Sequence, residues 1–562
     1  MNDVVKILPL GGQAEMGKNM YVININEKLF IIDAGFRFPE SEKLGVDIII
    51  PSFDYLKERK DQIAGIFITH GHDDTMAALP YLLEQITVKV YAPTLTADLI
   101  VEMIEQHNRL NRTRITADIV RVRRKSDIDV AGVHIKFFPV THSIPGSIGI
   151  AFETSEGYIV HAGEFIIDFG APSGFKTDIQ TMMEIGSKGV LALLCESSYA
   201  QKPGYTSPKH KIKDKIDPIF EDATGRIIVA SYAQNIFRTK EIIELTKRYN
   251  RKIVFYGRDK YDNTNSIVRM GNQLKKAVIE IPKENIAFKS QIGRPDIDDQ
   301  LVVLLTGRPT RIYHDISDII DGGDEMLKIN EKDTFIVVSP VVPGTEKIAT
   351  KAQNELYKTD AKIYIFKNKD LSSMHASIED LKVMLQIFHP KYYIPIRGEY
   401  QHFIANAAVA KESGLPEENV IIMDNGEEIT FKDGQLQHAR EYYEIEDVMI
   451  DGIGVGDVGM KVIDDRIQLS NDGVVIIGMT INDKREIVAN TDVQTRGFVY
   501  LKDSEHIVKG ILKIAEDTMT ENQANSDVDV ADIRQMIKDK AYKYIMKQTG
   551  KKPVILPIVI EI

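Results

Sequence analysis

One cysteine, Cys195, stands in a chain of 562 residues. Internal disulfides and a cysteine-rich zinc site are therefore excluded. Nowhere is there a run of about 18 apolar residues, the length a spanning helix needs, so no membrane partner is expected. The opening MNDVVKILPLGG lacks the basic n-region and apolar h-region of a secretory signal. These absences predict a soluble cytoplasmic protein. Positive charge is in short supply too. The formal net charge is −12, which disfavours a polyanion over the whole surface and leaves nucleic acid only a local basic channel. Two stretches offer one: Arg109, Arg112, Arg114, Arg121, Arg123, Arg124 and Lys125, and Lys202, Lys209, Lys211, Lys213 and Lys215. Each taken alone reads as a solvated face.

What is present is ordinary globular composition, 43% hydrophobic and 27% charged. The length exceeds one core, so about three domains are expected. MYVININ and KLFIIDAG read as strands around the turn Asn26-Glu27-Lys28. IAGIFITH reads as a strand ending at His70, followed by a helix MAALPYLLEQI, a strand VKVYAP and a helix TLTADLIVEMIEQH. VHIKFFPVTHS continues the strands, GIAFETSEGYIVHAGE forms a hairpin at Ser155-Glu156-Gly157, and VLALLCESS closes the part. Paired strands followed by interleaved helices predict a sheet sandwich flanked by helices.

From about Gly225, RIIVAS, FRTKEIIELTKRYN, KIVFYG, NSIVRMGNQL, DQLVVLLTG and TFIVVSP alternate strand and helix, as a parallel-sheet insert does. AKIYIF, SIEDLKVMLQIFH and KYYIPIRGEY fit either layer. After about Glu446, VVIIGMTIN, EIVANTDV and GFVYLK read as strands, separated by polar stretches such as TENQANSDVDV. The helix DIRQMIKDKAYKYIMKQ carries Ile533, Ile537, Tyr544 and Ile545 on one face, so a small α+β tail is expected.

Two glycine-rich motifs are decoys. GQAEMGKN (Gly12 to Asn19) nearly fits a phosphate-binding loop. Asn19 replaces the hydroxyl that would hold magnesium, and a strand pattern follows where a helix should open. Gly454, Gly456 and Gly459 fit a dinucleotide fingerprint, but MKVIDDRIQL after them reads as strand, which leaves no helix N-terminus for a pyrophosphate.

The chemistry lies in ITHGHDDT. Residues two apart on a strand share a face, so His70 and His72 converge where the strand ends, with Asp74 two further on. His142 ends FFPVTH, Glu164 ends YIVHAGE and Glu196 ends LALLCE. Rigid strands aim such rim residues. Three histidines and a carboxylate suit zinc or manganese.

The order HGHDDT, THS, HAGE, CESSYA, SSMHAS, IRGE, running from LPLGGQAEMGKN and IIDAG to PVILPIVIEI, resembles the metallo-β-lactamase superfamily. Within it the chain is similar to the β-CASP nucleases and to the ribonuclease J family, in the pattern of its second, degenerate paralogue in Firmicutes. The resemblance implies an α/β fold: a metallo-β-lactamase αββα sandwich interrupted by a β-CASP α/β insert, plus a small α+β C-terminal domain. The expected partition is 1–206 and 365–446 for the sandwich, 207–364 for the insert, and 447–562 for linker and C-terminal domain.

In the family pattern His70, His72 and His142 match the first metal site and Asp74 a ligand of the second. The bridging Asp is Glu164 here. Thr75 stands where a histidine is expected, and Arg397 replaces the final histidine. Thr75 is a poor neutral ligand, and a guanidinium has no acceptor. At most one Zn2+ or Mn2+ should be well held, or none. Whether Glu164 ligates metal or pairs with Arg397 stays open, with the ion pair favoured.

The resemblance assigns His375 to leaving-group departure, Glu196 to orienting the histidines and Asp74 to catalysis. Arg397, Leu371, Ser372, Ser373, Met374, His375 and Ser231 are assigned to the substrate. Leu371 and Met374 depart from the family's His and Gly. Arg397 is expected to grip a phosphate by forked hydrogen bonds. The implied activity is weak 5′-to-3′ exoribonuclease, with some endonuclease action, on messenger and ribosomal RNA. The implied partners are RNA and a second subunit, identical or paralogous. A non-catalytic, RNA-gripping scaffold is the alternative. A small-ester hydrolase is disfavoured by the insert.

Overall fold

The computed structural model describes residues 2–39, 45–123, 126–257, 281–342, 344–452, 454–455, 460–498, 505–525 and 528–562. The expected helix NSIVRMGNQL, Arg124, Lys125, Gly456, Gly459 and parts of GFVYLK and TENQANSDVDV lie outside the described residues. The chain divides into two units, Met1–Phe38 with Ile49–Val448, and Pro39–Ile48 with Met449–Ile562.

In the first unit two sheets face one another. One runs Gln435–Leu436, Glu427–Lys432, Val4–Gly11, Met20–Ile25, Lys28–Ile32, Ile63–Phe67, Lys89–Pro93, Asp118–Val122. The other runs Tyr392–Ile396, Val190–Glu196, Tyr158–His161, Ile148–Phe152, Val133–Pro139, Asp127–Val130. Alternate residues point inward, so Ile7, Tyr21, Ile23, Phe30 and Phe67 meet Phe137, Ile150, Phe152, Leu194 and Ile394 in one core. Helices Ile179–Ser187 and Ile378–Phe388 cover the second sheet through Met182, Ile185, Leu381 and Met384.

The first turn is tighter than expected. Asn26 and Glu27 both have positive φ, at 50° and 65°, and Lys28 already begins the next strand. MAALPYLLEQI is not one helix. Asp73–Met76 and Leu79–Leu83 are separate short helices, with Pro80 in the first turn of the second.

The insert is a parallel five-stranded sheet, Lys252–Gly257, Leu301–Gly307, Ile227–Tyr232, Thr334–Val337, Lys362–Ile365. Helices Lys213–Asp222 and Ile236–Arg248 bury one face. Pro309–Ile320 and Glu346–Leu356 bury the other. Continuously apolar strands such as LVVLLT need cover on both sides. Of the three ambiguous segments, AKIYIF joins this sheet, while Ile378–Phe388 and Tyr392–Ile396 return to the sandwich.

The second unit packs Glu505–Glu521 and Val530–Thr549 on a sheet of Asp492–Arg496, Val474–Ile481 and Val554–Glu561. Ile533, Ile537, Ala541 and Ile545 form the buried face of the last helix, and Tyr544 is only half-buried. Two expectations are corrected here. MKVIDDRIQL is the helix Met460–Asp472, because Ile463 and Ile467, four apart, outweigh the apparent alternation. EIVANTDV contributes only its last residues to a strand, Asp492–Arg496. The dinucleotide reading still fails, now on topology. Gly454 lies in an antiparallel pair with Asp451, and Val474–Ile481 pairs with neither of those strands. Among the described residues no helix is long and apolar enough to cross a membrane.

Candidate metal centre and its surroundings

Parallel strands of both sheets end at one rim. Ile32 is in register with Phe67, so Asp33 and the Ile68–His70 segment leave side by side. His161 pairs with Leu194, and Glu196 with Ile396. The second sheet therefore delivers Glu164, Glu196 and Arg397 from neighbouring ends. Main-chain bonds fix the first rim: Ala34 N donates to the Thr75 carbonyl at 2.7 Å and Gly35 N to that of Asn19 at 3.0 Å. At Gly35 a Cβ would sit 1.6 Å from the Asp74 carbonyl oxygen, so only glycine lets the two loops approach.

His70, His72, His142 and Glu164 meet there, each offering one ligand atom, all within 4.8 Å of one another. His70 Nε2 lies 3.1 Å from His72 Nδ1, and His142 Nε2 lies 3.3 Å from that same atom. The other ring nitrogens have outward partners. His70 Nδ1 is 3.0 Å from Thr69 Oγ1, whose proton goes to Asp33 at 3.0 Å. His72 Nε2 faces Ser143 Oγ at 3.1 Å and the Gln234 carbonyl at 3.4 Å. His142 Nδ1 donates to the Met374 carbonyl at 2.8 Å.

Each imidazole thus spends its proton outward and turns a lone pair inward. Burial pushes His70 well below the ordinary histidine range and His72 down to about 3, so both are neutral, the ligand form. Three lone pairs and a carboxylate oxygen facing one another repel unless a cation lies among them. The donor set fits a divalent ion of the zinc or manganese type.

The pair with Arg397 is present at one oxygen of Glu164, and the other oxygen faces the histidines. Its Oε2 faces His142 Nε2 at 3.1 Å and His70 Nε2 at 3.6 Å, while its Oε1 pairs with Arg397 Nη1. Arg397 Nη2 pairs with Asp33 Oδ2. Burial opposes the Glu164 charge, but Arg397 and the histidines hold its pKa well below the usual carboxylate range. The expected phosphate grip of Arg397 is therefore corrected. The side chain is 3% exposed and both terminal nitrogens are committed to carboxylates. Thr75 does not reach inward either; its Oγ1 bonds the carbonyls of His70 and His72 at 3.0 and 2.9 Å. Asp74 lies outside the four-residue cluster. Its Oδ2 accepts from Asn19 Nδ2 at 3.1 Å, and burial, reinforced by Glu164, raises its pKa well above normal.

His375 Nδ1 bonds Glu196 Oε2 at 2.8 Å. Glu196 Oε1 accepts from the backbone of Phe165 and Ala376 at 2.8 and 3.2 Å. Burial works against a charge on His375, yet the Glu196 carboxylate lifts it to about 10. Its protonation stabilises the fold fully below pH 6.5, and that contribution is lost as pH rises through about 10. Glu196→Gln should return the pKa toward 6.5, as read by NMR titration of the His375 ring; a value still near 10 would mean another group holds the proton.

The Leu371–Met374 run needs a further correction. The side chains of Leu371 and Met374 sit in an apolar core with Val338 and Phe237 and do not face solvent. Ser372 and Ser373 stay partly exposed, and Ser373 N donates to Tyr199 Oη at 3.3 Å. Ser231 is fully buried, its Oγ without a partner among the described residues. Much of the second basic stretch has local partners: Lys202 over the Tyr199 ring, Lys211 on Asp168, Lys213 on Glu244. In the first stretch Arg121 pairs with Asp98.

Asp33, Thr69 and Ser143 were absent from the expected site, and Gln234 entered it only within ASYAQN (Ala230 to Asn235), which resembles the family's nucleotide-contacting strand end. Asp33 had a signal, a lone carboxylate closing the apolar strand KLFII. Thr69 and Ser143 act through hydroxyls inside the quoted ITHGHDDT and THS, and Gln234 reaches His72 through a backbone carbonyl that its residue type does not specify.

Four family profiles match the sequence: the metallo-β-lactamase superfamily over residues 15–172, the ribonuclease J β-CASP domain over 224–356, the Zn-dependent metallo-hydrolase RNA specificity domain over 366–423 and the ribonuclease J C-terminal domain over 461–562. The chain is 34% identical over 566 residues to a protein named Ribonuclease J 2 of Staphylococcus epidermidis, covering 100% of this chain and 99% of that one. Against a protein of the same name from Staphylococcus aureus it is 33% identical over 562 residues, with 100% and 99% covered. A crystal structure of a protein of unknown function from Enterococcus faecalis V583 superposes with a TM-score of 0.51 at 14% identity, over 76% of this chain and 100% of that one; that likeness concerns the fold alone.

Proposed function

This chain belongs to the ribonuclease J family, and from that premise we propose that it is a subunit of RNA processing and decay whose own 5′-to-3′ exoribonuclease action is weak. The observation that carries the reading is Arg397, a fixed cation between Asp33 and Glu164, where the family pattern places ligands of a second ion. A binuclear site clamps both attacking and leaving oxygens with ions about 3.5–4 Å apart. Here one of those charges is a guanidinium, which neutralises carboxylates but cannot activate water. RNA is the proposed substrate and the cytoplasm the proposed compartment. We carry the partition 1–206 with 365–446, 207–364 and 447–562 as the domain reading.

In this reading His70, His72, His142 and Glu164 hold one Zn2+ or Mn2+. Such an ion supplies Lewis-acid activation of water and of a phosphoryl oxygen. The protein does the rest. Thr69, Gln234 and Met374 hold the three imidazoles in their ligand tautomers. Burial, reinforced by Glu164, raises the Asp74 pKa well above normal, which disfavours a further negative charge beside the pocket. His375 is held cationic by Glu196 through Nδ1, which leaves Nε2 to give a proton to a departing ribose oxygen.

A second reading is favoured by the same guanidinium: a scaffold that binds RNA and an identical or paralogous subunit without cutting. The test separates the two. Chelated protein is reloaded with zinc or manganese, its metal content measured, and 5′-monophosphorylated RNA assayed with Mn2+. About one ion per chain is expected, with slow cleavage. His70→Ala and His72→Ala should each remove the ion and the cleavage. Cleavage that survives both substitutions comes from a contaminant, and the scaffold reading then stands.

A further inference from the structure

Two of the three histidines take their outer hydrogen bonds from the insert or from chain that has just left it. His142 Nδ1 is held at 2.8 Å by the carbonyl of Met374, nine residues past the insert's last strand. His72 Nε2 has two acceptors, the Gln234 carbonyl at 3.4 Å and Ser143 Oγ at 3.1 Å. Gln234 lies in the insert, between the strand Ile227–Tyr232 and the helix Ile236–Arg248. Ser143 belongs to the sandwich, yet its carbonyl accepts the Phe237 N–H at 2.9 Å, from the first turn of that helix. The Gln234 side chain in turn bonds the carboxyl of Asp73, the residue between His72 and Asp74. Only His70 relies on the sandwich alone, through Thr69 and Asp33.

We propose that Gln234 and Ser143 are positioning residues for the metal centre, so that ion retention and docking of the insert form one coupled equilibrium. The inference rests on the reading that these histidines hold a divalent ion. The physical reason is tautomer control. His72 can offer Nδ1 to an ion only while its proton sits on Nε2, and that proton is held there by Gln234 and Ser143. If the insert moves off, the Gln234 acceptor goes and Ser143 loses the Phe237 bond that fixes it. The ring then rotates and exchanges tautomers. His142 loses the Met374 carbonyl in the same motion. Reciprocity follows: an ion that needs the docked arrangement stabilises it by the same free energy. Asp73, whose motif neighbours supply the ligands, acts as the strut that holds Gln234.

Two measurements on the full chain test this. Hydrogen–deuterium exchange is followed with and without zinc, and zinc affinity is measured by competition with a chromophoric chelator. In the unaltered chain zinc should slow exchange over residues 232–238 and 371–376. Ser143→Ala should weaken zinc binding by about 10-fold or more, the usual loss for such a partner, with Ser143→Thr restoring it. Asp73→Ala and Gln234→Ala should each weaken binding, with the double variant no worse than either single one, as expected of residues acting through one contact. Zinc that binds the unaltered chain but leaves exchange in both segments unchanged overturns the inference while sparing the metal reading. No zinc binding at all overturns both. The exchange experiment needs no variant, so a substitution that fails to fold does not decide the matter.

Discussion

Arg397→Ala is expected to destabilise the first unit by about 3–5 kcal/mol, the usual result of removing one partner from a buried ion pair. The guanidinium is shared between Asp33 and Glu164, both within 5% exposure. Burial already pushes Asp33 up to about 6 with Arg397 in place. Without it, two carboxylates face each other in a dry pocket. The urea midpoint at pH 7 should fall, and the deficit should shrink as the pH is lowered toward about 6, because without Arg397 the Asp33 carboxyl takes up its proton at a higher pH than in the unaltered chain. Manganese should recover part of the loss, because a cation that binds only the folded state at about 100 times its Kd contributes about 2.7 kcal/mol. An unchanged midpoint would mean the two carboxyls are neutral in the native protein. The electrostatic basis of the weak-nuclease reading would then be gone.

Thr75→His with Arg397→His should raise bound metal from about one ion per chain to two and cleavage by about 100-fold, the scale of one well-placed electrostatic contact in a transition state. Neither change should suffice alone. Histidine at 397 without a ligand at 75 leaves Asp33 and Glu164 partly uncompensated. Histidine at 75 beside Arg397 meets a fixed positive charge. The structure adds a difficulty. Thr75 is fully buried, and its hydroxyl closes the loop by bonding two carbonyls. Overpacking there costs about 1–3 kcal/mol. Metal content is therefore to be read on protein shown to be folded, by mass spectrometry of the chelated and reloaded sample. Two ions without faster cleavage would show that the substituted pocket is not what limits the rate.

The sequence carried the centre better than its frame. His70, His72, His142 and Glu164 were visible because each follows the end of an apolar strand, and strands of the two facing sheets end at one rim. The Arg397 substitution was visible as a permanent cation where the known motif has a neutral ligand. Its partner Asp33 was not, although it sits in the quoted IIDAG, because a pairing across 364 residues leaves no local trace. Leu371 and Met374 were misplaced because position in a motif says nothing about which way a side chain points. The helix Met460–Asp472 was misread because short apolar–polar alternation fits both periods over ten residues. The helix Glu505–Glu521 went unmarked, although Ile507, Ile511, Ala515 and Met519 keep a helical spacing.

The Asp33–Arg397 pair and the 232-residue span from His142 to Met374 also set an order of events on the ribosome. A nascent chain that has emerged through its first two hundred residues already holds the three clustered histidines and Glu164, though not His375. It lacks the cation that neutralises them and the carbonyl that orients His142. The pocket closes only when synthesis has passed residue 397, so the last stretch of the sandwich acts as its keystone. Long-range closure of this kind is slow and leaves partly built species exposed. Translation that stalls before that point leaves an acidic, unbraced rim for chaperones or proteases to find.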